Sequence, residues 1–149
     1  GDNGAASAYE AGLARFAEMG ATLAEIDMEP FYETARLLYE GPWVAERYLT
    51  ARHLIETDPG ALHPVILQIV GGGAHLSATD TFKALYRVAE LKRATERSLA
   101  TIDALVVPTA PATYTVDEVL ADPIELNSRL GTYTNFVNLL DLCGLAVPA

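Results

Sequence analysis

The sequence predicts an α/β fold, with helices packed on short buried strands, and three observations lead there. One long stretch, residues 78–100, keeps a helical period from end to end. A compact β-branched run, Asp103-Ala104-Leu105-Val106-Val107-Pro108, ends at a proline as a buried strand of a parallel sheet does. A helix-like stretch stopped by Gly20 is followed at once by the alternating Thr22-Leu23-Ala24-Glu25-Ile26, which is the αβ step of such folds.

Taken in order, residues 5–19 place Ala5, Tyr9, Leu13 and Phe16 on one helical face, and Gly20 stands where a left-handed residue closes a helix. Asp27 closes the strand over 22–26, and the chain turns through Pro30 into a helix over 31–39. Gly41-Pro42 breaks that helix, because proline removes a backbone donor and clashes with the preceding turn, yet it suits the first turn of a new helix over 42–56. Thr57-Asp58-Pro59-Gly60 is a turn. Residues 62–70 form a short helix stopped by Gly71-Gly72-Gly73, with a strand as the alternative given their β-branched content. Ser77-Ala78-Thr79-Asp80 reads as a capping box with aspartate in place of the usual glutamate, opening the helix over 78–100, on which Phe82, Leu85, Tyr86 and Ala89 share a face. Beyond the strand over 103–108 lies a Pro/Thr-rich loop, 109–115, on the side of an open α/β sheet where ligands bind. A short helix over 116–121, a turn at Asp122-Pro123 and a helix over 134–142 follow.

Composition narrows the function classes. A chain of 149 residues, half of them hydrophobic, is long enough to bury one ordinary core, and residues 1–149 read as one domain or part of one. Its formal charge of −10 repels a phosphate backbone, and the ten basic residues are scattered singly, so nucleic acid is not an expected partner. No apolar run reaches the roughly 20 residues that cross a bilayer, and the start lacks the features of a signal peptide, so no membrane partner is expected. The single cysteine, Cys143, lies in an apolar stretch and reads as a small buried hydrophobe; a cytoplasmic setting is the default. The missing initiator methionine and the strand-like Leu145-Ala146-Val147-Pro148-Ala149 make both ends look like cuts.

Several motifs have plain structural readings. The triple glycine fits neither phosphate-binding fingerprint and reads as a helix stop and hinge. His53, His63 and His75 have no ligand at metal-binding spacing and read as surface or capping residues; no metal and no cofactor are expected. Glu33, Glu40 and Glu46 fall on neighbouring turns and read as solvated helix faces, as does the salt-bridged group Lys92, Arg93, Glu96 and Arg97.

Two segments are denser. In Tyr39-Glu40-Gly41-Pro42-Trp43-Val44-Ala45-Glu46-Arg47-Tyr48 a helix break can aim Tyr39 and Arg47 at one pocket, where a guanidinium fork binds a planar carboxylate and a phenol completes the orientation. The plain alternative is a packing aromatic and a surface arginine. In residues 126–142, Asn127, Ser128, Thr132, Tyr133, Thr134, Asn135 and Asn138 lie among apolar residues, which suggests buried polar groups satisfied either by a structural network or by a ligand.

These two segments, with Val107-Pro108-Thr109-Ala110-Pro111 and Leu145-Ala146-Val147-Pro148, resemble the allophanate hydrolase branch of the amidase-signature family, in order over nearly the whole chain. The resemblance implies a partial amidase-signature fold, with helices on a fragment of a mixed β-sheet. It also implies hydrolysis of allophanate (urea-1-carboxylate) to ammonia and carbon dioxide in urea degradation, by a Ser/cis-Ser/Lys triad with a backbone oxyanion hole. Tyr39 and Arg47 become the substrate-binding residues, with Arg47 gripping the substrate carboxylate. The family's Gly/Ser-rich segment carrying the two serines is absent, and Lys83 and Lys92 match no family motif, so no catalytic residue is assigned. The chain thus reads as a fragment, the later part of the amidase domain, inactive alone. A homo-oligomer is expected. The alternatives are a fragment of another amidase-signature hydrolase and a non-catalytic helical interaction module.

Overall fold

The computed structural model describes residues 2–148, and 67% of the chain is helical with no strand among the described residues. The order is α1 (Asn3–Glu18), α2 (Glu29–Glu40), α3 (Trp43–Thr57), α4 (Pro64–Gly71), α5 (Ala78–Leu99), α6 (Val116–Ala121), α7 (Pro123–Leu130) and α8 (Phe136–Leu139), with 3-10 turns at Pro59–Ala61 and Gly72–His75. The expected α/β fold with helices on a mixed sheet is therefore corrected to an all-helical one.

The reason lies in what a strand needs. Residues 22–26, 103–107 and 145–148 are irregular, and no ladder of hydrogen bonds pairs them. Alternation and β-branching identify stretches that lie flat against apolar surface, but a strand also needs a neighbour for its backbone. Ile26 and Leu105 do pack against the core. Helix α1 supplies a polar partner for the second stretch, the Tyr9 hydroxyl donating to the Val106 carbonyl at 3.0 Å, and its N-cap Asp2 donates its amide to the Pro111 carbonyl in the loop that follows, at 3.2 Å.

Helix termini follow the sequence closely. Gly20 adopts φ +95°, and its amide and that of Ala21 return to the carbonyls of Ala17 and Phe16, both at 3.0 Å, the double closure that a left-handed residue permits. At α5 the Asp80 amide donates to Ser77 Oγ at 3.2 Å while Ser77 donates its amide to Asp80 Oδ2 at 3.0 Å, so the aspartate does close the capping box. Residues 64–71 take the helical alternative.

Helix α2 lies at the centre. Its stripe Phe31, Thr34, Ala35 and Leu38 is buried at the spacing of one helical face. Phe31 meets Phe136 of α8 edge to face with ring centroids 5.2 Å apart, and Ala35 and Leu140 complete this core cluster. On α5 the buried residues are Ala84, Leu91 and Thr95, whereas Phe82, Leu85 and Tyr86 are 56%, 46% and 67% exposed. The expected face of α5 was thus the wrong stripe. Ala84, Leu91 and Thr95 are buried on the helix that packs on α2. Beside this stripe Arg87 clasps Glu33 of α2 with two hydrogen bonds of 2.6 Å, and the guanidinium holds the Glu33 carboxyl below its ordinary value.

The C-terminal third departs most. Where a turn was expected at Asp122-Pro123, Pro123 begins α7, with the Asp122 side chain accepting from the Glu125 amide at 3.4 Å, and the helix expected over 134–142 shrinks to Phe136–Leu139. Asp141, at φ 55°, turns the chain out of α8 before Gly144 is reached. Cys143 is exposed, because no other element covers the apolar stretch that contains it. None of the described helices is long and apolar enough to cross a membrane.

Phe136→Ala should remove one ring of the central edge-to-face pair and destabilise the fold by about 3–5 kcal/mol, whereas Phe82→Ala on the exposed stripe should change stability by less than about 1 kcal/mol. Urea denaturation followed by circular dichroism checks both, and equal losses would contradict this assignment of the core.

Candidate functional site

The corner between α2 and α3 is built by one glycine and one proline. The Gly41 amide closes α2 on the Leu37 carbonyl at 2.9 Å, and Pro42 leads into α3. A side chain on Gly41 would run into the Leu37 carbonyl oxygen and would stand 3.1 Å from the Trp43 ring, so the turn is tight enough to require glycine. Tyr39 therefore sits on the last turn of α2 and Arg47 on the second turn of α3, a few residues either side of the break.

The structure brings the two together. The Arg47 guanidinium lies over the Tyr39 ring, its central carbon 5.0 Å from the ring centroid. Such a cation–π contact at an exposed site is worth about 0.5–1 kcal/mol, and it leaves the edges of the guanidinium available for hydrogen bonds. Tyr39 is 43% exposed and Arg47 half-buried. Arg47 has no carboxylate partner among the described residues. Its neighbours Glu40 and Glu46 are exposed without pairing to it, while Glu56, further along α3, is engaged by Arg52 at 2.8 Å. The arrangement can accept a small planar anion on the guanidinium fork, with the phenol at its side.

The pair shares a surface, not an enclosed cavity. One open hollow of about 360 Å³ lies between Gly41-Pro42 and the start of α5, lined by Leu37, Leu76, Lys83 and Arg87 among others. Another, of about 470 Å³, lies between Asp27 and Arg97. Neither is lined by Tyr39 or Arg47.

The polar segment 126–142 forms no buried network. Asn127, Ser128 and Asn138 are exposed, Thr132 bonds locally to the Arg129 carbonyl at 2.7 Å, and no buried polar side-chain atom among the described residues lacks a partner. Tyr133 instead joins a small aromatic group, its ring 6.1 Å from that of Tyr32. Burial first, and neighbouring groups second, push the Tyr9 and Tyr32 phenols above their ordinary values, so both stay neutral. Lys83 lines the hollow beside Pro42, and Lys92 is paired with Asp141 at 2.7 Å. His53, His63 and His75 are exposed, and His63 caps α4 by accepting from the Val65 amide at 3.3 Å.

One residue at this corner escaped sequence reasoning. The triple glycine was legible as a helix stop, but only Gly73 is buried, and its backbone rests on Val44 and Ala45 at the start of α3. No spacing rule distinguishes which of three consecutive glycines is required by contact.

Fold and site together define a segment, all-helical among the described residues, that stacks a tyrosine and an arginine on one surface at a helix break, and this does not identify a particular protein. Comparison with known proteins supplies the rest. No family model matches the chain. It is 45% identical over 132 residues to the urea amidolyase of Saccharomyces cerevisiae, an alignment spanning 87% of this chain and 7% of that protein. Among solved structures it is similar to a variant of Kluyveromyces lactis allophanate hydrolase, with a TM-score of 0.90 and 38% identity over 95% of this chain and 23% of that one. The K. lactis urea amidolyase matches with a TM-score of 0.88 and 39% identity over 92% of this chain and 8% of that one. The chain is thus homologous to a segment of urea amidolyase and allophanate hydrolase, and it spans only a small part of either.

The stacking geometry has a direct signature. The δ-protons of Arg47 should resonate upfield of those of the exposed Arg93, shifted by the Tyr39 ring current. Tyr39→Phe should keep the displacement and Tyr39→Leu abolish it in a proton NMR spectrum; a spectrum indifferent to Tyr39→Leu would show that the ring does not lie under the guanidinium.

Proposed function

We propose that this segment supplies the substrate-recognition part of an allophanate hydrolase, the later part of an amidase-signature domain, acting on urea-1-carboxylate in urea degradation. The observation that carries the reading is the Arg47 guanidinium standing 5.0 Å over the Tyr39 ring with no carboxylate of the chain engaging it. Arg47 binds the substrate carboxylate through two parallel charge-assisted hydrogen bonds, and the Tyr39 ring fixes the plane of the fork while its hydroxyl reaches the adjoining amide. An uncharged amide would leave the guanidinium unsatisfied, and selectivity follows from that difference. The homology to segments of allophanate hydrolase and urea amidolyase supports the substrate class.

The same reading assigns the chemistry elsewhere. The Gly/Ser-rich segment that carries the family's two serines is absent from this sequence, so in this reading nucleophilic attack and proton transfer belong to residues outside the segment. The parent enzyme is then a cytoplasmic homo-oligomer, and the exposed Phe82, Leu85 and Tyr86 stripe of α5 is an apolar surface available for assembly.

Two measurements test the proposal. In the full-length enzyme Arg47→Ala should raise KM for allophanate and lower kcat/KM by roughly tenfold to a hundredfold, since a hydrogen bond to a charged group is worth about 1.5–3 kcal/mol; an unchanged KM would remove Arg47 from the site. The purified 149-residue chain should release no ammonia from allophanate above a buffer blank, and turnover by it would overturn the assignment of catalysis to other residues.

A further inference from the structure

The start of α3 rests on a backbone seat. A methyl group on Gly73 would stand 2.5 Å from the Val44 carbonyl oxygen, 2.8 Å from its carbonyl carbon and 2.9 Å from Ala45 Cα. None of these atoms belongs to a flexible side chain, so alanine at 73 can be accommodated only if the Gly72–His75 turn and the first turn of α3 move apart. Gly71 and Gly72 differ: a methyl group on either would meet nothing within 4 Å, and both already have helical backbone angles. Of the three glycines, only the third is required by contact. Arg47 lies two residues beyond Ala45, at the start of the next turn, and Gly41 lies close against the Trp43 ring on the first turn from the other direction. Opening the 2.5 Å contact to an ordinary van der Waals distance moves the start of α3 by most of an ångström, and the backbone that carries Arg47 moves with it relative to Tyr39.

We propose that Gly73 is a positioning residue for substrate recognition, its missing side chain letting the 72–75 turn lie against α3 and so fixing where Arg47 stands relative to Tyr39. This rests on the reading of Arg47 as the carboxylate-binding residue.

Kinetics of the full-length enzyme on allophanate separate the two. Gly73→Ala should raise KM by roughly tenfold, as an ångström-scale misplacement of a binding group does, with kcat changed less. Gly71→Ala and Gly72→Ala should leave both constants unchanged. In an Arg47→Ala background, Gly73→Ala should add nothing further to KM, because the group it positions is gone. An unchanged KM in Gly73→Ala, or a tenfold rise that persists without Arg47, would overturn the proposal. If Arg47→Ala itself leaves KM unaltered, the carboxylate reading has failed; if Arg47→Ala raises KM and Gly73→Ala does not, the Gly73 proposal alone falls. Should Gly73→Ala not yield folded enzyme, the same comparison is made with Gly71→Ala and Gly72→Ala added, since alanine at those helical positions stabilises the fold. A triple variant that still fails to fold would assign Gly73 a purely structural part and end the proposal.

Discussion

Main chain approaches main chain around the first turn of α3, and two glycines make this possible. At Gly41 a side chain would strike the Leu37 carbonyl, and at Gly73 it would strike the Val44 carbonyl. Contacts of this kind leave little freedom, because protein interiors resist even sub-ångström overlap. The start of α3 is thereby seated between the end of α2 and the Gly72–His75 turn without needing a large apolar face of its own; Val44 is its one buried residue. Side chains flanking the break inherit that rigidity, which is why a short tyrosine-to-arginine spacing becomes a defined surface and not a loose pair.

Helix α2 transmits the same order to the rest of the molecule. Its buried stripe meets α8 through Phe31 and Phe136, while its other flank takes α5 through small residues and the Glu33–Arg87 clasp. Burial fixes the distance between these helices and the ion pair fixes their register, since a forked guanidinium on a carboxylate tolerates little sliding. The Tyr39–Arg47 corner is joined to the core through α2, with Tyr39 only one residue beyond the buried Leu38.

Local signals were legible in the sequence, and partnerships were not. Gly20, the Ser77–Asp80 box and the Gly41-Pro42 break each act through the backbone of a few adjacent residues, so composition and spacing were enough to find them. Residues 22–26 and 103–108 carried the pattern of strands without a neighbour to pair with, and a pattern cannot supply one. On α5 two stripes competed, and the larger side chains of Phe82, Leu85 and Tyr86 suggested the core, whereas the fold buries Ala84, Leu91 and Thr95. Pro123 illustrates a different ambiguity, because proline both ends and begins helices and only the Asp122 cap decides between them. The Tyr39–Arg47 proximity was legible because it spans a single turn; Gly73 was not, because its partner lies 29 residues earlier in the chain (73 minus 44).

The proposed binding of a carboxylate by an acidic chain requires the attraction to be local. A net charge of −10 would repel a carboxylate at long range, but at physiological ionic strength that field is screened within about 8 Å, and charges on distant helices contribute little at the corner. What remains is the immediate surroundings of Arg47. Glu46 precedes it directly, yet adjacent residues on a helix point to different sides, and the two form no ion pair. The aromatic face beneath the guanidinium adds attraction without occupying a hydrogen-bond donor, so the fork keeps its capacity for an incoming carboxylate. Had Arg47 been paired with a carboxylate of the chain, as Arg87 is with Glu33, any incoming anion would have to displace that partner, and the affinity available to it would fall by the strength of the pair broken.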